Sequence, residues 1–127
     1  MLRIRNEQWT ELSSATQRSF EQRMVVHLRK FFPQQCEALG ATDLQDTIAH
    51  GIERAKTYDI VTERDVCLYI DLMMVFGRDF DTNPHLSWAS YLLQDPHVNY
   101  PAHKIDRLYD TALRELKTQA AWEQNGG

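Results

Sequence analysis

The chain has no CxxC pair, no glycine-rich phosphate loop and no apolar run long enough to cross a bilayer. Each absence removes a class of protein. The two cysteines, Cys36 and Cys67, lie in sequence that reads as helix, with no partner pattern around either. A disulfide scaffold and a cysteine-rich zinc module are therefore excluded, and a reducing compartment fits best. Without GxGxxG or a Walker-type loop, the familiar nucleotide-binding signatures are missing. The longest apolar stretch, Val66 to Phe76, falls well short of the roughly 20 residues a membrane span needs. The first residues, MLRIRNEQW, lack the apolar core of a signal peptide. The protein is therefore expected in the cytoplasm, with no membrane partner. There is no dense run of one charge, no internal repeat and no convincing strand.

What is present is ordinary for a globular domain: 127 residues, 43% hydrophobic and 25% charged, enough to bury one core without staples. The net charge of −4 argues against a nucleic-acid partner. That charge is uneven. Residues 1–33 carry six Lys/Arg against three Glu, a balance of +3, which leaves −7 for the remainder. Pairing of the two ends within one fold is the simplest reading.

The clearest element is VCLYIDLMMVF, residues 66–76, introduced by the capping sequence Thr62-Glu63-Arg64-Asp65 and ended by Gly77. It predicts a central helix over about 62–76. Helical spacing gives it two stripes. Val66, Tyr69, Ile70, Met73 and Phe76 form the expected core stripe; Arg64, Leu68, Asp71 and Val75 form a second, partly exposed one. Around it the sequence predicts a short helix from Asn6 through Leu12 and a longer one from Ser14 to Phe32 using Phe20, Met24, His27/Leu28 and Phe31. One turn over Gln34–Leu39 is closed by Gly40. A helix after the capping box at Thr42 then uses Leu44, Ile48, Gly51, Ile52 and Ala55. Gly51 costs about 1 kcal/mol inside a helix, which implies close approach of a neighbour there. Asn83-Pro84 opens a helix through Leu93. Pro101 opens the last, whose inner face is Ile105, Leu108/Tyr109, Ala112/Leu113 and Leu116. The expectation is a single all-α domain over 1–127, a compact bundle of five to six helices, with 1–5 and 123–127 frayed.

The chemistry is sparse. Asp79-x-Asp81-x-Asn83 resembles half a calcium loop, but Pro84 and Ser90 stand where the glycine and the bidentate glutamate belong. His50 and Glu53 are one turn apart with no second pair to complete a metal site. His85, His97 and His103 cluster in sequence around two loops and could meet in space. His27 lies on an apolar face, and Cys67 falls inside the hydrophobic helix; both read as packed. Pairing of Asp71 with a histidine is possible in any fold and has no particular support here. No catalytic residue, cofactor or metal ligand is assigned. A helix-turn-helix reader would need polar residues outward on its recognition helix, and the best candidate is apolar. What remains is a protein-binding surface, with Trp9, Trp88, Trp122, Tyr91 and Tyr100 as anchor types.

The run ERDVCLYIDLMMVFGRDFDTNPHLSWA, with RSFEQRMVVHLRKFFPQQCEALG upstream and KIDRLYDTAL downstream, resembles a group of small bacterial helical proteins. These are encoded beside type VI secretion spike and effector genes or in polymorphic-toxin loci. The resemblance covers about residues 15–115 and supplies no catalytic motif. It implies an accessory role: an adaptor or chaperone for a secreted effector or spike component, or alternatively an immunity protein that blocks a toxin. An immunity protein would use acids such as Asp79, Asp81 and Asp95. An adaptor would use an apolar helix face such as Leu68 and Val75, the reading favoured by the lack of a dense acidic run. The residues expected at the partner surface are Leu68, Asp71, Val75, Arg78, Asp79, Asp81 and Trp88.

Overall fold

A computed structural model describes residues 12–94 and 101–126, without the side chains of 14, 101–103 and 119–126. The described residues are all-α, with five α-helices and no strand. The helices are α1 (Ser14–Phe31), α2 (Pro33–Thr57), α3 (Glu63–Phe76), α4 (Ser87–Leu93) and α5 (Pro101–Gly126); a 3₁₀ turn, Pro84–Leu86, precedes α4. None of them is long and apolar enough to cross a membrane. The expected Asn6–Leu12 helix falls almost wholly outside the described residues, as do Trp9, Asp95, His97, Tyr100 and the side chains of His103 and Trp122. The sequence leads to one bundle over 1–127; the contacts group into two compact units, Met1–Arg78 and Asp79–Gly127.

In the first unit, α1 starts with a capping box between Ser13 and Thr16 and ends with Arg29 and Lys30 in its last turn, where cations meet the negative end of the helix dipole. Phe20, Met24 and Leu28 are buried at helical spacing. Phe31, expected on the same inner face, is instead 59% exposed. It sits on the last turn of α1, and the chain turns into α2 at the next residue. Pro33 occupies the first position of α2, where its missing N–H leaves no bond unmade. Gly40 breaks the helical path of α2 with φ +81°, so the turn over residues 33–39 and the helix beyond it are separate in direction, as the sequence predicts.

Beyond Gly40, Leu44, Ile48, Gly51, Ile52 and Ala55 are all buried. On α3 the buried set is Val66, Tyr69, Ile70, Leu72, Met73 and Met74. All four core-stripe positions N-terminal to Phe76 are buried at i, i+3, i+4 and i+7, and Leu72 and Met74 add to the expected set because α3 has neighbours on more than one side. Phe76 is half-buried. Thr62 caps α3 by accepting from the Asp65 N–H, and Glu63 and Asp65 place negative charge at the positive end of the helix.

In the second unit, Asn83 accepts from the His85 N–H at 2.9 Å and Pro84 opens the 3₁₀ turn. Ala89, Leu92 and Leu93 on α4 and Ile105, Leu108 and Ala112 on α5 are buried. Leu113 and Leu116, expected inward, are exposed, because the buried stripe of α5 is narrower than its apolar pattern. The helix runs from Pro101 to Gly126.

The packing at Gly51 is tight enough to test. A Cβ there would lie 2.6 Å from Ile70 Cγ1 and 2.8 Å from Met73 Sδ. Helix propensity alone makes Gly51→Ala stabilising by about 1 kcal/mol. Overpacking makes it destabilising by about 1–3 kcal/mol, and this is the expected sign. Urea denaturation decides between them, and a raised midpoint refutes the close-packing account.

Candidate functional site

Several polar side chains of the first unit meet along the seam where α1 runs beside α3. Three rungs cross it or lie close to it. At the start of α3, Arg23 holds Glu63 in a two-pronged pair at 2.8 and 3.1 Å. One turn on, His27 Nε2 lies 2.8 Å from Asp71 Oδ1 and 3.7 Å from Cys67 Sγ. Further on, Gln35 from α2 donates to the Met74 carbonyl at 2.6 Å. That last bond satisfies a carbonyl at the end of α3, whose last turn carries no basic residue. The order of the rungs makes α1 and α3 parallel along this edge.

The middle rung is where chemistry is concentrated. Cys67 and Asp71 are four residues apart on α3 and so project from one face. His27 comes from α1, its ring held by a tilted contact with Phe31 at 4.9 Å. The side chains of His27 and Asp71 are 29% and 15% exposed. Burial pushes the Asp71 carboxyl up from its ordinary range, and the charge and hydrogen bond of His27 pull the other way. Burial, with the Asp71 charge added, pushes the Cys67 thiol up to about 12. A carboxylate accepts only, so Nε2 carries the hydrogen in its bond to Asp71. That nitrogen then has no lone pair with which to take a proton from Cys67. A Cys–His–Asp relay needs the thiol and the acid on opposite ring nitrogens; here both face the same one. The arrangement is therefore a convergence of three donor atoms, all within 4.8 Å of one another, and not a nucleophilic triad.

The expected partner residues separate. Leu68 and Asp71 are half-buried and Val75 is 42% exposed, so the second stripe of α3 does reach the surface. Asp71, however, is engaged by His27. Arg78 is exposed and paired with Asp46 at 2.8 Å. Asp79 is exposed, while Asp81, expected beside it at the surface, is fully buried. The turn explains the inversion: Thr82 N–H bonds back to the Asp79 carbonyl at 3.1 Å, which directs Phe80 and Asp81 inward. Trp88 is half-buried on α4, in the second unit.

In the sequence His27 and Cys67 have the marks of packed residues, and the i, i+4 spacing of Cys67 and Asp71 is the signal of a shared face. Between α1 and α2 an open polar groove of about 560 Å³ is lined by Arg18, Glu21, Gln22, Gln45 and Asp46. Two of its acids already have partners, Glu21 with Gln17 and Asp46 with Arg78. No protein family, curated protein or solved structure matches the chain.

The state of Cys67 has a measurable consequence. At pH 8 it is almost wholly the unreactive thiol. Iodoacetamide should label it in the folded protein about tenfold or more slowly than in urea, with the rate still rising above pH 9. Equal rates at pH 8, folded and unfolded, would contradict the burial assigned to it.

Proposed function

We propose that the chain is a non-enzymatic protein-binding module, an adaptor or chaperone accessory to a type VI secretion effector or spike component. The observation that carries this reading is the exposed apolar pair at the end of the α1–α3 seam. Since His27 meets Asp71, the residues one turn further, Phe31 and Val75, fall at the same level of two parallel helices. Both are large, apolar and exposed, at 59% and 42%. Half-exposed Leu68 continues the stripe on α3. Lys30 stands over the Phe31 ring at 5.4 Å, which gives the patch a charged rim. An apolar centre with a polar rim, carried on two rigid helices, suits a partner's amphipathic segment.

The competing readings have less support. An immunity protein would present an acidic patch, but of its candidate acids Asp81 is buried and only Asp79 is exposed among the described residues. A nucleic-acid binder would use the cations of α1, and Arg23 among them is tied to Glu63. A cysteine enzyme would need a free imidazole nitrogen facing Cys67, and Nε2 is shared with Asp71.

The test is a pull-down of the tagged chain from its own bacterium, read by mass spectrometry, alongside the Phe31→Ser/Val75→Ser variant. Neither residue belongs to the core, so the variant should keep its thermal midpoint. Recovery of a spike or effector protein with the parent chain, and loss of it by about tenfold or more with the variant, is the expected outcome. Equal recovery with both chains removes the seam from the interface. Recovery of a toxin whose lethality the chain suppresses would favour the immunity reading.

A further inference from the structure

We propose that His27, Cys67 and Asp71 bind a single divalent cation of the zinc class, through Nε2, Sγ and one carboxylate oxygen, with the fourth position open to water. Three observations carry the proposal. The first is the donor set. A thiolate, an imidazole and a carboxylate are the ligand types zinc takes, whereas magnesium and calcium take oxygen. The two anionic ligands would neutralise the ion's charge.

The second is spacing. Zinc–ligand bonds of about 2.0–2.3 Å at tetrahedral angles place donor atoms about 3.3–3.6 Å apart. Nε2 and Sγ are 3.7 Å apart, and the whole trio lies within 4.8 Å. Nε2 and Oδ1, at 2.8 Å, have to open by about half an ångström, which a turn of the Asp71 carboxylate supplies. The ring hydrogen would then sit on Nδ1, and the thiol proton would leave to solvent as the Cys67–metal bond forms.

The third is support and access. Cys67 and Asp71 share one face of α3. The Arg23–Glu63 pair fixes the α1–α3 register one turn below, and the Phe31 contact orients the imidazole. His27 and Asp71 both keep some exposure, which leaves a path for the ion and a place for the fourth ligand.

The probe is Co²⁺, titrated into the untagged, metal-free full chain and followed by absorption. The expected result is saturation at one equivalent, with a thiolate-to-cobalt charge-transfer band in the ultraviolet and the visible bands of a tetrahedral ion, all removed by Zn²⁺. Cys67→Ser should abolish the charge-transfer band. His27→Gln and Asp71→Asn should each weaken Co²⁺ binding by about tenfold or more. Cys36→Ser should change nothing. The parent chain decides the matter even if a variant fails to fold: no thiolate band in it overturns the site. So does a band that survives Cys67→Ser in a chain of unchanged circular dichroism, or one lost with Cys36→Ser. Cobalt bound without a thiolate band places the ion on other histidines and equally overturns the proposal.

Discussion

The missing side chain at Gly51 sets the arrangement of the first unit. Ile70 and Met73 occupy the space that any Cβ would fill, so α2 and α3 approach more closely there than two side-chain-bearing positions would allow. Once α3 is held on that side, its Val66–Tyr69–Ile70–Met73 stripe is committed to the core. Its opposite stripe is then turned outward, toward α1 and solvent. Leu68, Asp71 and Val75 are where they are because α3 has no rotational freedom left. The price of a glycine in mid-helix is offset by that packing.

The seam that results is unusual in its composition. The neighbouring buried surfaces are apolar, yet along α1 and α3 the chain places an Arg–Glu pair, a His–Asp pair and a thiol in partial burial. Such groups add little net stability, since desolvation opposes what their attraction gains. The shift of Asp71 shows this balance: burial outweighs the histidine that favours its charge. Polar groups in that setting favour the alignment of the two helices in which they meet their partners. They also put reactive atoms on rigid elements, the condition under which a ligand site keeps its geometry. The exposed apolar pair Phe31 and Val75 lies one turn beyond the same rung, so it and the polar trio share a single edge of the first unit.

Much of the architecture was readable from local signals. Thr62, Asn83, Pro84 and Pro101 stand at helix starts because capping and proline chemistry act within three or four residues. The inner faces of α2 and α3 followed from helical period, and the close approach at Gly51 from the cost of a glycine there. The misplaced residues have a common cause. Phe31, Leu113 and Leu116 fit the apolar period of their helices, yet they are exposed, because period marks a face and says nothing of how far the neighbouring element reaches. Asp81 went the other way: the backbone bond from Thr82 to Asp79 rotated it inward, and an acid in a loop carries no mark of that in its identity.

The candidate site divides along the same line. Cys67 and Asp71 lie on one face by helical spacing alone, and that much was fixed by the order of residues. His27 joins them across 40 and 44 positions of chain, and nothing local to either segment encodes the meeting. It depends on which face of α1 lies against α3, and that is decided by the burial of Phe20, Met24 and Leu28 together. Helix formation is a property of short segments, and the sequence states it directly. The encounter of distant side chains is a property of the packed whole, in which many weak contacts jointly select one alignment.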